Sequence, residues 1–104
     1  LGLSECARVL KKDGVLLMTI PFDAASPKSV VRAKLTDGTI KHLMPEMYHG
    51  NPMSDKGSLV FTDFGWDILQ DMKSAGFKSA EIHLYGSIEY GHLGAPQIIF
   101  YLKK

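Results

Sequence analysis

The sequence predicts an α/β fold with three core strands, two helices and an inserted β-hairpin. Two observations support this prediction. Apolar runs of strand length follow segments with helical periodicity, and glycines and prolines separate the two kinds of segment. Neighbouring parallel strands need helical crossovers of this kind. We therefore expect one domain, built on a parallel sheet that the helices cover.

The first helix is predicted over residues 3–12, and the first strand follows it directly. Apolar residues recur at helical spacing up to Leu10, and Gly14 supplies a stop. Residues 15–20 form an apolar run without polar alternation, which is typical of a buried strand in a parallel sheet. We expect this strand to be central and to end at Pro21, because proline cannot donate to the ladder.

The region at about 23–61 is predicted to be an insertion, because it is rich in prolines and has no long amphipathic period. Within it, Asp37-Gly38 separates two β-prone runs, which predicts a hairpin at roughly 29–43. Residues 45–52 are predicted to form a loop, because they contain prolines and a glycine. Polar and aromatic side chains are concentrated there, and loops often carry function.

Regular structure is predicted to return near Thr62 or Asp63, either of which can cap a helix that extends to Gly76. Residues 80–85 alternate as a strand, and residues 97–102 close the chain as a second one. These elements complete the predicted alternation of helices and strands.

Composition and charge exclude several classes of protein. The 104 residues carry a net charge of +1, without the basic field that nucleic-acid binding requires. The single cysteine cannot form an internal disulfide, so we expect a cytoplasmic location. No apolar run approaches the ~20 residues that span a bilayer, so no membrane association is expected.

The chain also resembles a known family. Residues 8–14, the apolar run 15–20 and the Pro21-Phe22 pair resemble a helix, the fifth strand and its tip in class I S-adenosylmethionine-dependent methyltransferases, although Lys12-Asp13 replaces the usual Pro-Gly. Further segments are similar to a subgroup of uncharacterised, type 11-like methyltransferases, some of them attached to glycosyltransferase modules: residues 31–38, 42–52, 63–66 and 91–96.

The resemblance implies the C-terminal part of a Rossmann-like methyltransferase sheet, with an antiparallel last strand. It also implies S-adenosylmethionine as the cofactor. The family's glycine-rich turn and ribose-binding acid have no counterpart in the sequence. Because Leu1 also begins within an amphipathic pattern, we expect the main cofactor anchors to lie in a missing N-terminal half. Pro21 and Phe22 would then contact the cofactor only peripherally.

The predicted loop 45–52 supplies the candidate catalytic residue. His49 is a possible general base, because an imidazole can take a proton from a hydroxyl or amine acceptor. Tyr48 and Asn51 are candidate substrate-binding residues, and Glu46 belongs to the same polar cluster. The alternative is a loop held together by its own hydrogen bonds.

Three further side chains are candidates for substrate binding. Trp66 can stack on a ring, or it can pack the insertion against the sheet. Tyr90 and His92 lie in the glycine-rich loop 86–96, which follows the carboxyl end of a strand. The histidines form no pair at metal-ligand spacing, so no metal site is predicted.

Two functions remain open at this point. The first is the acceptor-side half of a methyltransferase that acts on a small molecule or a glycan-related acceptor, inactive as a separate fragment. The second is a non-catalytic recognition or assembly module with a methyltransferase-like fold. An incomplete sheet would leave an exposed edge, through which the chain is expected to self-associate.

Overall fold

A computed structural model describes residues 2–104. The chain divides into two compact units: one contains the chain up to Ile20 and Leu69–Lys104, and the other contains Pro21–Ile68. The elements are α1 (Gly2–Val9), β1 (Val15–Met18), β2 (Val30–Val31), β3 (Ala33–Thr36), β4 (Thr39–His42), β5 (Tyr48–Asn51), β6 (Ser54–Leu59), β7 (Thr62–Asp63), α2 (Ile68–Ser74), β8 (Ser79–Tyr85) and β9 (Gln97–Lys103).

The first unit is built on a three-stranded sheet with the order β1-β9-β8. The last strand, β9, runs antiparallel to both neighbours. Phe100 lies opposite Met18 of β1 and Ile82 of β8, so these three side chains share one face. Phe100 and Leu102 have no exposed surface, which makes β9 the centre of this core.

Both helices contribute buried residues to the first unit. Ala7 of α1 and Met72 of α2 are buried, as is Phe77 just after α2. Gly76 has a φ of 112°, a left-handed value that ends α2 as the sequence predicts. At the end of α1, the Lys104 Nζ donates to the Leu10 carbonyl at 2.7 Å, which satisfies a helix-end acceptor.

The second unit consists of three two-stranded antiparallel sheets, which pair β2 with β7, β3 with β4, and β5 with β6. The β3–β4 turn contains Asp37 and Gly38, with φ values of 50° and 76°. Two consecutive positive φ values are the requirement of a type I′ hairpin turn. The predicted hairpin is therefore confirmed. The buried apolar residues of this unit are Ala33, Val60 and Ile68.

The predicted fold class, a Rossmann-like α/β sheet, is wrong for this structure. Strands make up 41% and helices 15% of the residues, and the strands form small antiparallel sheets. Within residues 2–104, the sole parallel pairing is an isolated bridge between Phe22 and Phe64. β1 and β8 run in the same direction, but they do not pair with each other because β9 lies between them. The expected parallel sheet therefore does not form.

The position predicted for the first strand is also wrong. β1 lies at an edge of its sheet, and Leu17 is 64% exposed. An apolar run predicts burial on both faces of the sheet, but the composition of a strand does not determine how many neighbouring strands pair with it. The strands predicted over 80–85 and 97–102 are confirmed as β8 and β9, and the first helix is confirmed with an earlier end, at Val9.

Two further elements differ from the prediction. The segment 45–52 is not a loop, because Tyr48–Asn51 forms β5 and pairs with β6. The second helix begins at Ile68 instead of near Thr62 or Asp63, because those two residues pair with β2. Within the described residues, neither helix has the length and apolar character that a membrane crossing requires.

Burial predicts the effect of two matched leucine truncations. Leu102→Ala, at a site with no exposed surface, should lower the free energy of unfolding by about 2–5 kcal/mol, because it leaves a cavity in the core. Leu17→Ala, at an exposed site, should change it by less than about 0.5 kcal/mol. Urea denaturation measures both values. Equal losses in the two variants would contradict the position of the core.

Candidate functional site

An open cleft of about 360 Å³ lies within the second unit. Its volume is at the lower end of the ~300–1,000 Å³ range of small-molecule sites. Apolar and charged side chains line it together, as in sites that bind a ligand by its apolar body and orient it by a few polar groups. The lining residues are Pro21, Phe22, Asp23, Ser26, Val30, Arg32, Met44 and Asp63.

Backbone hydrogen bonds fix one wall of the cleft. The Phe64 amide donates to the Pro21 carbonyl at 2.8 Å, and the Asp23 amide donates to the Phe64 carbonyl at 2.8 Å. Phe22 and Phe64 thereby form the isolated parallel bridge. Pro21 and Phe22, which the resemblance implies as cofactor contacts, are thus held in an extended segment at the cleft.

An aromatic pair extends this wall. The Trp66 ring meets the Phe22 ring edge-on, with centroids 5.3 Å apart and planes at 81°. The Trp66 Nε1 donates to the Ala24 carbonyl at 2.9 Å, which fixes the indole. Trp66 is 45% exposed and does not itself line the cleft, but it holds Phe22, which does.

A glycine lets two segments of this wall approach each other closely. A Cβ on Gly65 would lie 2.5 Å from the Lys28 carbonyl carbon and 2.7 Å from the Ser26 carbonyl oxygen. Both contacts are with backbone, which cannot move aside easily. The Trp66 amide donates to the same Ser26 carbonyl at 3.1 Å. Any side chain at position 65 would therefore disturb the wall that carries Ser26.

Arg32 is the cation of the cleft, and its position is fixed from two sides. Its Nη1 lies 2.9 Å from Asp63 Oδ2, and its Nη2 donates to the Pro45 carbonyl at 2.8 Å. The side chain is 12% exposed, against 30% for Asp63. The Arg32 Nε is buried and has no hydrogen-bond partner among residues 2–104. Because the contacts of Nη1 and Nη2 hold it, the guanidinium is ordered before any ligand binds.

The carboxylates of the cleft keep part of their hydrogen-bonding capacity. Asp23 Oδ1 accepts from the Ala25 amide at 2.9 Å, and Asp63 Oδ2 accepts from Arg32. Within the part of the chain that the structure describes, the second oxygen of each carboxylate accepts no hydrogen bond. Two carboxylates and one guanidinium give the cleft lining a formal charge of −1.

Asp67 ties together two segments that flank the cleft. Its carboxylate accepts hydrogen bonds from the Ser29 hydroxyl and from the Ser29 amide, the latter at 2.9 Å. The Ser29 Oγ also accepts from the Gly65 amide at 3.0 Å. The hydrogen bond from the Ser29 hydroxyl, followed by that from its amide, holds the pKa of the Asp67 carboxyl below its ordinary value.

The predicted polar cluster of residues 46–51 is only partly assembled. Tyr48 donates to Glu46 Oε2 at 2.7 Å, and Glu46 Oε1 lies 3.2 Å from His42 Nε2. This hydrogen bond to Glu46 raises the pKa of the Tyr48 phenol. Tyr48 thus joins Glu46 and His42, and it is not among the residues that line the cleft.

His49 and Asn51 make local contacts. The His49 Nδ1 lies 3.1 Å from the carbonyl of its neighbour Gly50, and Asn51 Oδ1 accepts from the Met53 amide at 2.9 Å within the β5–β6 turn. Neither residue lines the cleft. Tyr48 and His49 are adjacent on a strand, so their side chains leave from opposite faces. Catalysis by His49 stays a prediction.

Tyr90 and His92 belong to the first unit. The His92 Nε2 is hydrogen-bonded to the Tyr85 hydroxyl, and the two rings meet edge-on with centroids 4.5 Å apart. Tyr90 is 74% exposed, and its amide donates to the Ser87 Oγ at 3.4 Å. His92 is thus attached to the end of β8, whereas Tyr90 extends from the loop.

Asp23, Arg32 and Asp63 line the cleft, but no sequence motif marks them as site residues. One signal exists for Arg32, because it interrupts the apolar series Val30, Val31 and Ala33. A lone cation in such a series requires a partner when it is buried. The partner, Asp63, is distant in sequence, where the local pattern indicates a helix cap.

Among residues 2–104, no group of three histidine, cysteine or acidic side chains is arranged to hold a metal ion. No protein-family model matches the chain, and no match is found among curated proteins or solved structures.

The lowered pKa of Asp67 predicts a pH-dependent contribution to stability. A carboxyl with a lower pKa in the folded state stabilises the protein at pH values above the unfolded value, here 3.8. This contribution is lost as the pH falls through the lower, folded pKa. Asp67→Asn should therefore reduce the free energy of unfolding at pH 7, and the loss should shrink as the pH falls below 3.8.

Urea denaturation at pH 7 and at pH 3 measures this effect. Asp55→Asn is the matched control, because Asp55 lies on β6 and its side chain is exposed. The control should show little change at either pH. A loss in Asp67→Asn that is equal at both pH values would contradict a role for the charge.

Proposed function

We propose that the cleft of the second unit binds a small-molecule or glycan-related acceptor, and that the chain is the acceptor-side part of an S-adenosylmethionine-dependent methyltransferase. One observation carries the proposal. The residues that the resemblance implies at the strand tip, Pro21 and Phe22, line a cleft that also contains a fixed guanidinium, Arg32, and two carboxylates.

One further feature supports the methyltransferase class. The resemblance over residues 8–22 implies a helix, a strand and a Pro-Phe tip in order, and α1, β1 and the bridged segment at Phe22 follow that order. This order does not identify a reaction, so the activity remains our proposal.

The residues of this chain do not fit the cofactor itself. A nucleoside cofactor in such sites rests on a glycine turn that opens a helix. At the three tightly surrounded glycines here, Gly14, Gly57 and Gly65, an added Cβ would instead lie 2.8 Å or less from the chain's own backbone. We therefore assign no step of methyl transfer to these residues and limit the proposal to acceptor binding.

A nuclear magnetic resonance titration tests acceptor binding. The chain is labelled with ¹⁵N and titrated with neutral, anionic, cationic and apolar small molecules. At least one class should shift the amides of Phe22, Asp23, Arg32 and Asp63 while leaving β5 and β6 unchanged. If no class shifts the cleft amides, the proposed function is wrong.

The poor fit to the cofactor predicts that the 104-residue chain does not bind S-adenosylmethionine. Isothermal titration calorimetry should show no saturable heat at millimolar cofactor, because the glycine turn and the ribose carboxylate are absent. S-adenosylhomocysteine, which lacks the sulfonium charge, serves as the second ligand. Saturable binding of either compound with one site per chain would contradict the prediction.

A non-catalytic assembly module is the second candidate function, and the edge of β1 favours it. Within the described residues, β1 pairs only with β9, and its exposed Leu17 lies next to a free backbone edge. Apolar edge strands without charges or prolines readily pair with other chains.

Size-exclusion chromatography with light scattering tests this second function. Self-association should rise with protein concentration, and Leu17→Lys should abolish it by placing a charge on the edge strand. Ile88→Lys is the control, because Ile88 is also apolar and is more exposed than Leu17, at 84% against 64%, but lies outside the strands. A monomer at all concentrations would contradict the assembly function.

A further inference from the structure

We propose that the acceptor in this cleft is a neutral, polyhydroxylated ring, the chemistry of a sugar or a cyclitol, and not an anion. This inference rests on the proposed function, because it assumes that the cleft defined by Phe22, Asp23, Arg32 and Asp63 binds the acceptor. It adds the chemical class of that acceptor.

The charge of the lining argues against anions. Asp23 and Asp63 contribute two negative charges, and Arg32 contributes one positive charge. The positive charge is already paired, because Arg32 Nη1 lies 2.9 Å from Asp63 Oδ2. A carboxylate or phosphate on the ligand would thus meet Asp23 without a free counter-charge, and like charges at short distance repel.

The hydrogen-bonding groups of the lining argue for hydroxyls. The guanidinium has five N–H donors: the bonds to Asp63 and Pro45 use two, the one on Nε is buried, and two remain on Nη1 and Nη2. Among residues 2–104, the second oxygens of Asp23 and Asp63 accept no hydrogen bond. A hydroxyl both donates and accepts, so neighbouring hydroxyls on one ring can satisfy a carboxylate and a guanidinium together.

An ammonium ligand satisfies only part of this lining. It has donors for Asp23 and Asp63 but no acceptor for the N–H groups of Arg32. A neutral polyol carries both donors and acceptors, so it can satisfy the carboxylates and the Arg32 N–H groups together.

The size and apolar wall of the cleft suit a single ring. A volume of about 360 Å³ is small for an extended ligand. Phe22 and Val30 supply apolar surface, and the edge-on contact with Trp66 fixes the Phe22 ring. A sugar ring presents C–H groups on its faces and hydroxyls at its rim. It can therefore lie against Phe22 while its rim meets the charged groups.

The test is a titration of the ¹⁵N-labelled chain with matched ligands. Methyl α-D-glucopyranoside and myo-inositol are the neutral probes, glucuronate and glucose 6-phosphate are the anionic ones, and glucosamine is the cationic one. Neutral probes should shift the amides of Phe22, Asp23 and Asp63, with a Kd at least tenfold lower than that of the anions. The Kd of free glucose is compared with that of its methyl glycoside. A lower Kd for glucose indicates a free sugar, and a lower Kd for the glycoside indicates a glycan terminus.

Two variants test the groups that carry the inference. Asp23→Asn keeps the acceptor for the Ala25 amide but removes the charge, so it should reduce the discrimination against glucuronate at least threefold. Arg32→Lys keeps the charge but loses the fork geometry, so it should raise the Kd of the neutral probes. Asp55→Asn, outside the cleft, is the control and should leave every Kd unchanged.

The outcomes separate the inference from the proposed function. Binding of glucuronate, glucose 6-phosphate or glucosamine at the cleft with a Kd equal to or below that of the neutral probes would overturn the inference and leave acceptor binding intact. An absence of cleft shifts with every probe, including the apolar ones, would overturn both. Because Asp23 is exposed, its variant remains informative even where Arg32→Lys fails to fold.

Discussion

The second unit depends on Arg32. Its amide donates to the Phe61 carbonyl at 2.8 Å, and its carbonyl accepts from the amides of Leu43 and Met44. Its side chain binds Asp63 and the Pro45 carbonyl. One residue thereby connects the segment before β3, the segment after β4 and the β7 region. Because the guanidinium is largely buried, its removal or the loss of Asp63 would leave unpaired polar groups inside the unit, which is costly.

The same constraint fixes part of the cleft. A free surface arginine must lose side-chain entropy when it binds a ligand, whereas Arg32 is already fixed by two contacts. The segment that carries Phe22 is also fixed, through the bridge of Phe22 to Phe64 and the close approach at Gly65. The proposed acceptor would therefore meet a site whose charged and aromatic groups are already in place, and its hydroxyl pattern would decide binding.

Local signals predicted a substantial part of the fold. Asp37 and Gly38 specify their turn directly, because both adopt positive φ, and the last two strands follow from alternation and apolar content. Strand pairing could not be predicted in the same way. The run that forms β1 looks like a central strand, but its position is set by β9, about eighty residues later in the chain. The pairing of Val30 with Asp63 likewise converts an expected helix cap into a strand.

The candidate site shows the same limit. The Pro21-Phe22 tip could be identified from the resemblance, whereas the role of Asp63 depends on Arg32 and the position of Asp23 on its backbone bond to Phe64, both distant in sequence. His49 and Asn51 belong to one polar cluster in sequence, but both make local hydrogen bonds in a hairpin. Strand β5 turns the adjacent side chains of Tyr48 and His49 to opposite faces, and its pairing is irregular between His49 and Asn51.

In the proposed complex, a neutral polyhydroxylated ring lies against Phe22 beside Arg32. Intermolecular nuclear Overhauser effects between methyl α-D-glucopyranoside and the labelled chain would detect this arrangement. We expect contacts from the ring C–H protons to the Phe22 ring and the Val30 methyl groups. Contacts that are confined to Tyr90, His92 or the β5–β6 hairpin would contradict it.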